Sequence, residues 1–234
     1  KSVRKKLRQR DLMKLLKTAF ILFTFSTLLT ACRTDFYVET FVSDLFLSET
    51  LETPAKMKVE IPTCGDREEY EPKILALFSS DSKAKITDCV EEGMNSMLVV
   101  SLTAVVSTEG STADLTLFRE PSGDLEVDGV NYTWMGVKPS IHPDFIRRVR
   151  MLMEENLQSL EYDNIKFEIE LNNDTRGTIL YSTNFAWVDG QPFAARRKQP
   201  LDRRENAVFT FPNVTSDLVL QNQQPVVLYA AVPK

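Results

Sequence analysis

Lys56 to Ile61 sets Met57, Val59 and Ile61 against Lys56, Lys58 and Glu60, and this period of two predicts a strand with one wet face. Phe36 to Val42 is β-prone and predicts a first strand. Met97 to Val106 is a long apolar and β-branched run of the kind found in central strands, and Ala113 to Phe118 alternates again. Leu125 to Trp134 holds Val127-Asp128-Gly129-Val130, a two-residue hairpin signal. Two stretches carry helical spacing instead. Glu68 to Phe78 spaces Tyr70, Ile74, Leu77 and Phe78 along one side, with Pro72 early. Pro143 to Leu160 aligns Ile146, Val149, Met153, Leu157 and Leu160 in one stripe, with Ser140 as its expected cap.

Beyond Leu160 the pattern is almost wholly β. Asn164 to Leu171 alternates, Thr178 to Val188 runs into a second Asp-Gly turn at Asp189-Gly190, and Ala207–Phe211, Asp217–Leu220 and Pro225–Val232 add three candidates. Turn signals at this short spacing suggest a small sandwich. The expected class is α+β: a mixed N-terminal half with one or two helices and a β-sandwich-like C-terminal half. The expected division is 56–160 and 161–234, with a soft boundary near Leu160; one domain spanning both is the equal alternative.

Charge changes the picture at the N-terminus. Of 28 Lys and Arg residues, eight fall within 1–31, against one of the 33 acids, so the remainder carries 20 cations and 32 acids. A basic leader precedes an acidic body. From Met13 the leader reads as a short positive stretch, then an apolar run from Thr18 to Leu29, then Thr30-Ala31-Cys32. About twelve apolar residues are too few to cross roughly 30 Å of hydrocarbon as a helix, so the run suits a signal peptide better than a permanent span.

Leu29-Thr30-Ala31-Cys32 resembles a bacterial lipobox, the pattern read by lipoprotein signal peptidase. The resemblance covers residues 13–32 and is silent on the fold beyond them. It implies that 13–31 is a lipoprotein signal peptide and that Cys32 is diacylated on sulfur, cleaved from Ala31 and acylated on its new amine. Membrane lipid is then the first partner, because two or more acyl chains give stable anchoring where one does not. Arg33 follows the cysteine where enterobacterial lipoproteins retained in the inner membrane carry Asp, so the resemblance implies the outer membrane, at its periplasmic face. Residues 32–55 would form the anchor, a short tether and the first strand. Residues 1–12 contain no Met and are expected to be an upstream over-extension, with translation starting at Met13.

Export leaves Cys64 and Cys89 as a pair in an oxidising compartment, and a disulfide between them is expected. It would close a loop of about 26 residues and contribute roughly 3 kcal/mol.

Few residues suggest chemistry. One histidine and three cysteines argue against a multi-His metal site, a zinc ribbon or an iron–sulfur cluster. His142 lies between Ile141 and Pro143 with no nucleophile-elbow pattern around Ser140, and reads as a helix-entry residue. Asp124 to Gly129 faintly resembles a calcium loop, but its twelfth position is Met135, where a bidentate Glu is needed. Asn131, Asn173 and Asn213 head glycosylation-type triplets that read as plain loop sequence. No catalytic residue, metal ligand or cofactor is assigned, and the acidic body argues against nucleic acid. Arg196, Arg197, Lys198, Arg203 and Arg204 place five cations within nine residues, a candidate grip on an anionic lipid, an acidic glycan or an acidic protein. The expected role is a non-enzymatic accessory or assembly subunit of a cell-envelope complex. The alternatives are a surface or entry-exclusion lipoprotein, and an envelope glycan or peptidoglycan hydrolase.

Overall fold

Valine, isoleucine, phenylalanine and threonine at alternate positions build most of the residues that the structure describes into one sheet. The computed structural model describes residues 33–47, 49–93, 95–108, 110–155, 165–184, 186–193, 197–212, 215, 218 and 226–234. The expected signal peptide, Cys32, Arg196, the residues 156–160 of the expected helix and, but for Leu218, the candidate strand Asp217–Leu220 lie outside the described residues; Leu218 is helical rather than in a strand. Cys32–Lys234 forms one compact unit.

Thirteen strands are found among the described residues: β1 Thr34–Phe41, β2 Leu51–Ile61, β3 Lys85–Glu92, β4 Asn95–Ser107, β5 Leu115–Val127, β6 Val130–Ile141, β7 Ile165–Asn172, β8 Ile179–Thr183, β9 Trp187–Val188, β10 Gln191–Pro192, β11 Gln199–Leu201, β12 Asn206–Phe211 and β13 Leu228–Pro233. Three α-helices accompany them: α1 Val42–Phe46, α2 Arg67–Leu75 and α3 Pro143–Glu155. The sheet runs β10-β9-β12-β7-β1-β2-β4-β5-β6-β13-β8-β11, with β3 also on β4. Pairing is antiparallel except for β1 with β7 and β4 with β5.

The expected α+β class, with its separate β-sandwich-like half, is therefore wrong. The molecule is mostly β, a single curled half-barrel sheet. The physical reason is non-local pairing. β1 lies parallel to β7, so Thr34 meets Ile165 and Phe41 meets Asn172. β13 closes on β6, with Leu228 opposite Val137. Hydrophobic periodicity identifies strands but carries no information about which distant strand each will join.

Curling brings the ends of the strand order face to face. Tyr181 of β8 meets Phe209 of β12 edge-on at 5.3 Å between ring centroids and packs on Phe193 at 5.7 Å. Residues 202–205 join β11 at one end of the order to β12 near the other. Asn173, almost fully buried, clasps that turn: its side chain donates to the Leu201 carbonyl at 2.8 Å, and its backbone pairs with Arg204 and Glu205. The apolar face points inward, with Val38, Met57, Val100, Ile169 and Phe209 fully buried. A line of phenylalanines, Phe78, Phe145, Phe36, Phe167 and Phe211, ties α3 to β1, β7 and β12.

Local chemistry explains several details. Pro54 lies inside β2, where it has no N–H to give a neighbouring strand; beside it the Thr53 hydroxyl donates to the Glu39 carbonyl. The helix α3 is capped by His142 rather than Ser140. Ser140 sits inside β6, while His142 Nδ1 accepts the Asp144 N–H at 3.2 Å. Phe145 and Val149 are its buried residues, with Ile146 beside them. Both Asp-Gly turns form, with Asp128, Gly129, Asp189 and Gly190 all at positive φ as a type I′ hairpin requires. Cys64, in a 3-10 turn after β2, is bonded to Cys89 of β3, with Cα atoms 5.8 Å apart.

Two polar hubs fix the connections. Asp114, buried at the start of β5, accepts from the Ser79 N–H at 2.7 Å, the Ser82 hydroxyl at 2.6 Å and the Arg148 guanidinium at 2.7 Å. It thus holds the loop after α2, β5 and α3 together. Arg119, buried on β5, donates to the carbonyls of Asp44, Leu47 and Glu49. It closes the C-terminal end of α1, whose other end is held by Asp174 accepting from the Ser43 N–H at 2.9 Å.

Candidate functional site

The side chains that alternate away from the core make the outer face of β12, β7, β1 and β2. Because the strand registers are fixed, these residues line up in rows. Asp35 stands between Lys58 of β2 and Lys166 of β7, and in the next row Tyr37 stands between Lys56 and Glu168. Arg33, just before β1, and Glu92, at the end of β3, complete the lining of a groove of about 440 Å³.

The charges interlock. Arg33 holds Asp35 by a two-pronged contact, Nε to Oδ1 at 3.0 Å and Nη2 to Oδ2 at 2.6 Å, and reaches Glu92 at 3.6 Å. Lys58 pairs with Glu92, and Lys166 with Glu168 at 2.8 Å. The Tyr37 hydroxyl donates to Glu170, and Lys56 Nζ lies 5.7 Å from the Tyr37 ring centroid. The hydrogen bond to Asp35 raises the Arg33 guanidinium further above its ordinary value. The Lys58 ammonium, followed by Arg33 and Lys166, holds the Glu92 carboxyl below the usual range. Four cations and three acids thus line the groove. Its phenol and carboxylates are each engaged by a neighbour.

The sequence-derived residues fall elsewhere. Arg197 and Lys198 precede β11, and Arg203 and Arg204 follow it in the turn held by Asn173; all four are exposed. The three-residue strand splits the run into two pairs. Lys198 Nζ lies 5.8 Å over the Trp134 ring, and the Arg197 charge reaches Tyr181, whose hydroxyl is pushed up chiefly by burial. Among the described residues none of these four cations joins an ion pair with a carboxylate. Lys166 opens β7 and Asn173 follows its end, so the groove and the basic turn lie roughly 23 Å apart along the strand.

Sequence reasoning missed the groove. Each strand showed its wet side, as Lys56 and Lys58 did, but the residues that meet span 33–168. Among the described residues no cluster of three or more His, Cys, Asp or Glu side chains is placed to hold a metal ion. No helix among them is long and apolar enough to cross a membrane, which leaves crossing by strands aside.

No curated protein and no solved structure matches this chain. A family model described as a domain of unknown function, DUF7424, matches residues 34–234, so that β1 through β13 all fall within the match and the chain belongs to that family.

Proposed function

We propose that this chain is a lipid-anchored lipoprotein of the bacterial outer membrane, whose β body serves as a binding or assembly subunit of an envelope complex. The observation that carries the reading is the join between leader and body: Leu29-Thr30-Ala31-Cys32 is followed after one residue by β1, which begins at Thr34. The Arg33 backbone is already tied to the fold, its N–H donating to Glu60 Oε2 at 3.0 Å and its carbonyl accepting from the Glu60 N–H at 3.0 Å. A cysteine acylated at position 32 lies one peptide unit, about 3.8 Å between Cα atoms, from that fixed backbone. The body then has no slack to rise from the bilayer, and the groove that starts at Arg33 sits at headgroup level.

At that level the cations of the groove face lipid phosphates, and its acids face headgroup amines. Arg203 and Arg204, at the opposite end of β7, are presented away from the lipid toward an acidic partner, with Arg197 and Lys198 set back from them by the short strand β11. Anchoring confines both surfaces near membrane partners and raises their effective concentration without any new contact. The test is metabolic labelling with palmitate. Wild-type chain incorporates label and sediments with the outer membrane, and Cys32→Ala does neither. Equal labelling of the two chains sinks the anchor.

A further inference from the structure

β5 and β6 continue beyond β4 as a hairpin, with β13 alongside β6. β4 pairs with β5 only at Thr116, Leu117 and Phe118, so β5 runs on past β4 for nine residues, roughly 30 Å. β13 flanks β6 as far as Tyr132, two residues after β6 begins, and Lys234 continues beside it, its N–H donating to the Asn131 carbonyl at 3.0 Å and its Nζ pairing with Asp124 at 2.6 Å. The register then sorts the tip into two faces. Leu125 is opposite Tyr132 and Val127 is opposite Val130, so these four share one side, while Glu126 and Asn131 share the other. Leu125 is 46% exposed and Val130 43% exposed.

Leu125 and Val130 stand exposed beside half-buried Val127 and Tyr132, an apolar patch of the kind that marks an interaction surface. The hairpin's edge is guarded, since β5 carries a bulge between Pro121 and Gly123 that interrupts strand addition. The face, not the edge, is on offer. The surrounding charge specifies what meets it. Residues 120–133 contain Glu120, Asp124, Glu126 and Asp128 and no Lys, Arg or His. Glu120 and Asp124 are neutralised by Lys138 and Lys234; Glu126 and Asp128 join no ion pair among the described residues. An anionic tip is repelled by anionic lipid, so the occupant carries cations. Those cations exist on this chain. Arg197, Lys198, Arg203 and Arg204 are exposed and unengaged by any carboxylate among the described residues. Strand directions put the Arg203–Arg204 turn at the same end of the sheet as the hairpin.

We propose that the hairpin docks on a second copy of this chain, its Leu125, Val127, Val130 and Tyr132 face settling beside the partner copy's basic turn, with Glu126 and Asp128 opposed to those cations. Both surfaces lie on every chain, and the proposal places them reciprocally, each hairpin on the other copy's turn, across a two-fold axis. The inference is independent of the lipid anchor, and each can fail alone.

Two measurements on the full chain test it. Leu125→benzoylphenylalanine is irradiated in cells. The expected product has twice the mass of the chain and joins residue 125 to a peptide from 197–206 of another copy. An adduct with any other protein, or none, overturns the proposal. In detergent, sedimentation equilibrium of wild type is expected to give a dimer that Glu126→Lys weakens by at least roughly tenfold. Adding Arg203→Glu to that chain restores the dimer, because the charges are exchanged. A dimer that ignores Glu126→Lys, or a double variant that stays monomeric, contradicts it. Circular dichroism spectra of the three chains are expected to coincide, because residues 126 and 203 are exposed and their replacement leaves the fold intact.

Discussion

Asp44 and Arg119 are unlike charges that burial treats alike. Asp44 has its carboxyl raised above the ordinary value, first by loss of water and then by the Asp174 charge, with Arg119 opposing both. Arg119 is itself lowered by desolvation. A raised folded value means that the ionised carboxylate costs stability, in full above the folded value and vanishing as pH falls below the unfolded one. Asp44→Asn is thus expected to raise the melting temperature at pH 7. The gain shrinks as pH falls through the raised value and is gone below the ordinary carboxylate value of about 3.9. An advantage that is flat with pH in paired thermal melts would show that charge is not the cause. Arg119 has a different worth, because three backbone carbonyls depend on it. Arg119→Met keeps the apolar stem and strands those acceptors, at an expected loss of about 2–3 kcal/mol in urea unfolding.

At the scale of elements, the Cys64–Cys89 bond matters because β3 is a weak strand. It pairs only with β4, is interrupted at Thr87 and buries little of its Lys-Ile-Thr-Asp sequence. Replacing both cysteines by serine is expected to cost about 3 kcal/mol, and hydrogen exchange should quicken first across Lys85–Glu92. Uniform loss of protection over the whole sheet would mean that β3 is not the dependent element. The same strand shows where the sequence stops being readable. Strands with one clean wet side were legible, as in Met57, Val59 and Ile61, and so were both Asp-Gly hairpins, because each signal lies within a few residues. β3 has no alternation to read, since a bulge shifts its register between Ile86 and Asp88 and its hold on the fold is covalent. The helix from Pro143 was legible, while its cap was not, because His142 capping through Nδ1 is a matter of local geometry.

For the molecule as a whole, the decisive contacts are those no window of sequence contains. β1 joins β7 and β6 joins β13, which turns an expected mixed half and sandwich half into one curled sheet. The groove follows from the same pairing, since Asp35 meets Lys166 only because β1 and β7 run parallel in that register. The basic turn was visible as a run of cations, but its division by β11 and its support by Asn173 were not. If Cys32 is acylated as proposed, β1 leads away from the bilayer, the groove lies at its start, and the Arg203–Arg204 turn and the β5–β6 hairpin face the opposite direction.

The central claim is the chemistry of Cys32, and mass spectrometry of the mature protein's N-terminal peptide reads it directly. The account predicts a peptide that begins at Cys32 and carries two acyl chains on sulfur and one on its amine. A mature chain that begins at any other residue, or an unmodified Cys32 thiol, would contradict it.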